Sequence, residues 1–268
     1  MRVAYLGSRP LAEKILKFLI SQQGQKGKDY VDIVCLVTLP DKQIEPSGID
    51  RWWQGSLKPL AQKYQIPVVD IREVPDFKPD ILFSVFYYEV IPQKILNCAK
   101  KGATNLHFSY LPNALFHDKR TKNIYRGRGV LSYAILENEK WQAVTFHYIT
   151  AKIDIGPVID YAWNRISKNT TIWDLQQKSE EKAYALFKKW LPKLILSKNK
   201  VKTLPAGRKK YYYFSNKDLL PQKEINLTMP KADLDRKVRA FDFPGREPAY
   251  FKLKIGSRIK KIYLRTRK

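Results

Sequence analysis

The 268-residue chain has only three histidines, His107, His117 and His147, and one of them has a neighbour with which it could do chemistry. Asn105 stands two residues before His107 in Ala103-Thr104-Asn105-Leu106-His107, a run that predicts a buried strand. Side chains two apart on a strand project to the same side. An amide beside an imidazole suits acyl transfer, which needs a proton acceptor and a donor for the developing oxyanion. His107 closes the carboxyl end of the strand, where open α/β sheets place their ligands. An N-x-H pair alone is weak evidence, since many strands end this way. His147 reads as a packed, hydrogen-bonded strand residue within Val144 to Ile149, and His117 has no companion in its long loop. The two cysteines, Cys35 and Cys98, lie far apart in apolar stretches. This spacing argues against a disulfide framework or a cysteine-based zinc site, fits a reducing compartment and leaves no metal site expected. Neither G-x-G-x-x-G nor G-x-x-x-x-G-K occurs, so nothing marks a nicotinamide or ATP site.

Positioning these residues falls to alternating strands and helices. Val3 to Leu6 reads as a strand stopped by Gly7, and Pro10 suits the first turn of a helix with Leu11, Ile15, Leu16, Leu19 and Ile20 on its apolar face. A strand at Val31 to Val37 follows, then a Pro- and Gly-containing loop from Pro40 to Gly55 and a helix near Leu57 to Tyr64. Further strands are expected at Ile66 to Val69 and Ile81 to Phe86, with Pro92 opening a short helix. Beyond a long polar connection, Phe108 to Tyr125, come a helix at Gly129 to Leu136 and strands at Val144 to Tyr148 and Val158 to Ala162. A long helix starts near Thr170. The pattern predicts a Rossmann-like α/β fold, a mostly parallel sheet with helices on both faces. A domain boundary is expected near residue 200, giving a catalytic unit over 1–200 and a small C-terminal extension over 201–268. In the extension, Tyr211 to Phe214 is an edge-strand candidate and Ala232 to Phe241 looks helical. Gly256-Ser257 marks a hairpin turn, with Phe251, Leu253, Ile262 and Leu264 on its packing side.

A hydrophobic fraction of 44% excludes a disordered chain, and no apolar run is long enough to span a membrane. The N-terminus lacks a secretory cleavage pattern, so a cytoplasmic location is expected. The net charge of +25 would attract nucleic acid, anionic lipid or phosphorylated small molecules, and equally suits a solvated lysine-rich surface. Two segments are basic without an acid, Lys198 to Lys210 and Lys252 to Lys268.

Several motifs in order then carry a resemblance. Asn105-Leu106-His107-Phe108-Ser109-Tyr110-Leu111-Pro112 resembles the N-x-H-x-S-x-L-P signature of the 10-formyltetrahydrofolate-dependent formyltransferases. Tyr125-Arg126-Gly127 resembles their Y-R-G, Val144 to His147 their V-T-x-H, and Ile153-Asp154-Ile155-Gly156 their I-D-x-G. Ile81 to Pro92 is similar to the segment that contacts the folate ring. The resemblance covers about residues 1 to 195, and an ordered set is far more specific than any single motif. It implies that Asn105 donates to the formyl oxygen, His107 takes or relays the amine proton, and Asp154 supports the imidazolium. Without the resemblance, Asp154 would read as a turn residue before Gly156. It further implies a 10-formyltetrahydrofolate co-substrate held by Phe86, Tyr87, Tyr88 and Gly156. Ser8, Arg9, Tyr125 and Arg126 are the expected substrate-binding residues, Arg9 because a strand-to-helix turn favours an anion. Asn113 to Ile124 is an insertion between L-P and Y-R-G, close to the expected mouth of the site.

The acceptor is argued from the tail. Transfer-RNA formyltransferases share the Val238-Arg239-Ala240-Phe241 stretch, but their complete barrel would need more than one hairpin. Arg239 to Phe251 looks more like the nucleotide-sugar N-formyltransferases. The expected acceptor is a 4-amino-4,6-dideoxyhexose on dTDP, with GDP or a 3-amino sugar as variants, as used for surface polysaccharides such as lipopolysaccharide O-antigen. The alternative is a methionyl-tRNA formyltransferase with a shortened C-terminal domain. A pure nucleic-acid-binding protein would have let the triad degenerate. The expected partners are small molecules rather than nucleic acid, and the resemblance implies a homodimer with the hairpin as a plausible contact.

Overall fold

The computed structural model describes residues 1–23, 31–38, 55–87, 89–111, 120–121, 125–204 and 212–266. A six-stranded sheet runs in the order β2-β1-β3-β4-β6-β7. Its parallel part comprises β1 (Arg2–Gly7), β2 (Asp32–Val37), β3 (Ile81–Val85) and β4 (Ala103–His107). The strands β6 (Trp141–Tyr148) and β7 (Val158–Arg165) add an antiparallel edge. Alternate residues of β1 enter different cores: Val3 and Tyr5 face one, Ala4 and Leu6 the other. Burial of both faces explains the unbroken apolar runs.

The first face is covered by α1 (Arg9–Ser21) and α5 (Ile172–Leu196). Leu11, Ile15, Leu16 and Leu19 of α1 recur at helical spacing and are almost fully buried. Phe187 of α5 meets the edge of Phe83 at 4.9 Å between ring centroids. A capping box fixes the start of α5: the Thr171 hydroxyl accepts from the Asp174 amide at 3.1 Å, and the Asp174 carboxylate accepts from the Thr171 amide at 3.0 Å. The second face is closed by a 3-10 turn at Ile71–Phe77 and by α3 (Gln93–Leu96), which follows α2 (Lys58–Lys63) in the chain.

The segment Ile66 to Val69 is not a strand. It makes a single bridge, Leu36 to Val68, because Pro67 has no amide to extend the ladder. Tyr211 to Phe214 contributes β8 (Tyr212–Phe214), which pairs in parallel with β5 (Tyr125–Gly127) in a separate small sheet. That partner was not legible in the sequence, since a three-residue strand has no periodicity to read. Beyond it, α4 (Val130–Leu136) packs against α7 (Lys231–Phe241), which follows the short α6 (Asn216–Leu219) and a 3-10 turn at Leu220–Lys223. Val238, Ala240, Phe241 and Phe243 belong to the same apolar cluster as α1 and α5. Ser132 donates to the Ala240 carbonyl at 2.9 Å and buried Arg239 to the Thr170 carbonyl at 2.9 Å, tying the tail to the body.

The hairpin forms as expected from β9 (Ala249–Ile255) and β10 (Arg258–Leu264), with Phe251 opposite Ile262. Its packing side is covered only near the base: Ala249 is buried, but Leu253 and Ile262 are exposed. The inserted segment 113–124 lies largely outside the described residues. Of it, Thr121 donates to Glu139 at 3.2 Å and Arg120 lies over the Trp163 ring at 5.4 Å.

Candidate active site

A cavity of about 450 Å³ opens at the carboxyl ends of β3 and β4. Ser84, Asn105 and His107 reach it from these strands, Gly127 to Ser132 from the start of α4, and Ile153 and Asp154 from the turn between β6 and β7. The opposite wall comes from the tail, through Leu219, Leu220, Lys223, Phe241, Phe243, Arg246 and Glu247.

His107 is buried, and its Nδ1 lies 3.6 Å from Oδ1 of Asp154. Its Nε2 is 3.2 Å from the Tyr125 carbonyl. The carbonyl and the carboxylate can both only accept, so the neutral ring, with one proton, donates to one of them, and an imidazolium would donate to both. The other carboxylate oxygen of Asp154 accepts from the Gly127 amide at 2.9 Å. Burial by itself would raise the Asp154 carboxyl, but His107, His147, the Gly127 amide and Arg126 together hold it below the usual carboxylate range. Asp154 has φ 53°, a left-handed conformation that a short polar side chain tolerates. It is thus a turn residue and the partner of His107 at once.

Asn105 and His147 are cross-strand neighbours on β4 and β6. The Asn105 amide nitrogen lies 3.4 Å from Nε2 of His147, whose Nδ1 is 2.8 Å from the Tyr148 carbonyl. That carbonyl fixes the His147 proton on Nδ1, so Nε2 accepts from Asn105. Burial pushes His147 down to about 4, with Asp154 opposing and His107 adding to the effect. His147 therefore stands neutral near pH 7 and orients the Asn105 amide, leaving that nitrogen a second hydrogen to donate. The sequence reading of His147 as a packed strand residue missed this contact; its position in V-T-x-H was the available signal.

The remaining expected residues divide into two groups. Phe86 and Tyr87 line the cavity; Tyr87 donates to Glu89 at 2.8 Å. Tyr88 lies outside the described residues. The lining does not include Gly156, Ser8, Arg9, Tyr125 or Arg126. A Cβ at Gly156 would stand 1.7 Å from the Tyr148 carbonyl oxygen, so glycine there lets the Asp154 turn close on β6. Ser8 donates to the Phe86 carbonyl at 2.7 Å, and Arg9 is buried at the start of α1 within the field of Glu180. The Tyr125 hydroxyl donates to Glu139 at 3.1 Å. The Arg126 guanidinium donates to the Ile153 carbonyl, holding the residue before Asp154. Contributions from the tail were not anticipated, because they come from residues more than 100 positions beyond His107.

Among the described residues no helix is long and apolar enough to cross a membrane, and no group of three or more His, Cys, Asp or Glu could hold a metal ion.

Residues 1–191 match the formyl transferase family. A methionyl-tRNA formyltransferase from Halalkalibacterium halodurans is 26% identical over 245 residues, covering 88% of this chain and 67% of its own length. The chain spans 60% of the length of another, from Staphylococcus epidermidis. Among solved structures, the sugar 3N-formyl transferase WlaRD, determined with dTDP and 5-N-formyl-THF, is 26% identical with a TM-score of 0.69, over 91% of this chain and 80% of its own. An N-formyltransferase from Helicobacter canadensis, in complex with folinic acid and dTDP-3-aminofucose, is 26% identical with a TM-score of 0.70, over 90% and 80%. With most of its length matched and its sheet shared with these structures, the chain belongs to the formyl transferase family.

Proposed function

We propose that this chain transfers the formyl group of 10-formyltetrahydrofolate to the amino group of a nucleotide-linked amino sugar. The observation that carries this reading is the shape of the cavity: the tail forms its second wall and makes it a half-open cleft of about 450 Å³. That volume suits small-molecule ligands, and its mixed lining offers aromatic rings at Phe86 and Tyr87 and cations at Lys223 and Arg246. The two sugar N-formyltransferase structures, each determined with a folate and a dTDP ligand, support the same assignment.

In this reading the amine attacks the formyl carbon, and Asn105 donates its second amide hydrogen to the oxygen that becomes negative. His107 accepts the amine proton, and the resulting imidazolium faces Asp154. The carbon–nitrogen bond to the folate then breaks, and His107 returns the proton to that folate nitrogen. His147 keeps the Asn105 amide oriented, and Arg126 and Gly127 hold the turn that carries Asp154.

The sequence favours a 4-amino sugar, whereas both structural neighbours at 26% identity are described with 3-amino chemistry. Both positions therefore belong in the acceptor panel. A second reading, methionyl-tRNA as acceptor, is favoured by the +25 net charge and by the methionyl-tRNA formyltransferases among its relatives. The test is tetrahydrofolate release with dTDP- and GDP-linked amino sugars against charged initiator tRNA. A sugar acceptor should show only a modest salt dependence. Turnover on the tRNA alone, with binding falling about 10³–10⁵-fold between roughly 50 and 200 mM salt, would replace the sugar with RNA.

A further inference from the structure

Glu139 is only 3% exposed and lies in the connection between α4 and β6. Asn138 before it turns in the left-handed conformation, φ 53°, and the Glu139 amide donates back to the Ala134 carbonyl at 2.9 Å. One carboxylate oxygen, Oε1, accepts from the Tyr125 hydroxyl at 3.1 Å and from the Thr121 hydroxyl at 3.2 Å. Tyr125 is held at other points as well. Its amide donates to Ser109 Oγ at 3.3 Å, and its ring packs with Tyr133 and Phe214 at 6.5 and 5.5 Å between centroids. Ring packing of this kind needs no hydroxyl, and a carboxylate is costly to bury, so a phenylalanine facing an apolar residue could fill the same space. What the polar pair adds is placement. Aromatic contacts are broad in direction, whereas a hydrogen bond at the far end of the ring fixes the side chain and with it the backbone. The backbone group so fixed is the Tyr125 carbonyl, 3.2 Å from Nε2 of His107.

Resting on the reading of His107 as the group that takes the amine proton, we infer that Glu139 is a positioning residue for His107, acting through Tyr125. Once the ring carries its second proton, both nitrogens donate, and in a buried site each needs an acceptor. Asp154 supplies one and the Tyr125 carbonyl the other. A carbonyl that drifted out of reach would leave an unpaired N–H on a buried cation and remove one of the two contacts that fix the plane of the ring. The inserted segment joins this arrangement through Thr121, which donates to the same oxygen of Glu139.

The test reads the His107 ring directly, by nitrogen NMR of the full chain labelled at its three histidines, with folinic acid bound. Glu139→Ala and Tyr125→Phe should each move the His107 ring signals, assigned by their loss in His107→Gln. Each should also lower kcat by about 10–100-fold, the worth of a hydrogen bond to a charged group, with folinic acid affinity unchanged. Turnover is tetrahydrofolate release with a dTDP-linked amino sugar, or with initiator tRNA if wild type uses that acceptor. Glu139→Gln keeps an oxygen for the Tyr125 hydroxyl and should recover most of the loss seen in Glu139→Ala. The double variant should be no slower than the slower single one, because both remove the same bond. A merely structural Glu139 would lower the thermal midpoint and leave the ring signals and kcat where they were, and that result overturns the inference. If Glu139→Ala does not fold, a folded Tyr125→Phe with wild-type ring signals and kcat overturns it equally. Near-normal turnover in His107→Ala would instead remove the underlying reading of His107, whatever the other variants do.

Discussion

Replacing Asp154 by Asn removes a charge while keeping size and an oxygen able to accept from Gly127, so it isolates the electrostatic part of the His107–Asp154 pair. The carboxylate oxygen lies 3.6 Å from Nδ1, and both side chains are about one-tenth exposed. At an effective dielectric of about 20, a unit pair at that distance is worth about 4.6 kcal/mol, and at about 40, half of that. Each 1.4 kcal/mol is roughly tenfold in rate, so the variant should lose between about 50-fold and about 2,000-fold in kcat. The assay is tetrahydrofolate release at saturating donor and acceptor, with folinic acid binding and the thermal midpoint measured on the same preparation. A variant that keeps its midpoint and folinic acid affinity but turns over within about fivefold of wild type would refute the imidazolium argument. Asp154 would then be a turn residue alone.

Asn105→Ala should lower kcat by about 10²–10³-fold and His107→Ala by about 10²–10⁴-fold, with folding intact; near-normal turnover removes that residue from the chemistry. His147, held at about 4 by burial, is neutral in the folded chain, while in the unfolded chain it takes a proton below about 6.5. Its stabilising contribution is therefore full above about pH 6.5 and is lost as pH falls towards 4, amounting to about 2 kcal/mol by pH 5. Denaturant titrations at about pH 7.5 and 5 should show wild type losing that much more than His147→Gln, and parallel losses would count against a neutral buried imidazole. Gly156→Ala drives a methyl into the Tyr148 carbonyl, so it should cost about 3 kcal/mol and lower the thermal midpoint by about 6–12 °C. An unchanged midpoint would show that the Asp154 turn is not tightly packed.

The strands and helices around the site were legible because their signals are local. The apolar runs of β1 and β3 and the helical spacing in α1 and α5 depend on residues within a few positions of one another. The same locality put Asn105 and His107 on one side of β4, and the run of motifs from Asn105 to Gly156 placed Asp154 with them by resemblance. Failures came where a partner lies far along the chain or a backbone group decides. Ile66 to Val69 has strand composition, but Pro67 removes the donor that a ladder needs. The contacts of the Tyr125 carbonyl with His107 and of Arg126 with the Ile153 carbonyl were likewise beyond the reach of the motif, because a contact is not encoded in residue type. Residue identity and short-range periodicity thus determined which chemistry the chain could perform and which strand would carry it. Tertiary packing alone decided that His147 would orient Asn105, that Asp154 would stand 3.6 Å from His107, and that the tail would wall the cavity. Each of those is a meeting of side chains dozens of residues apart, set by how the sheet, the turns and α7 close around a shared core, and no spacing along the chain encodes it.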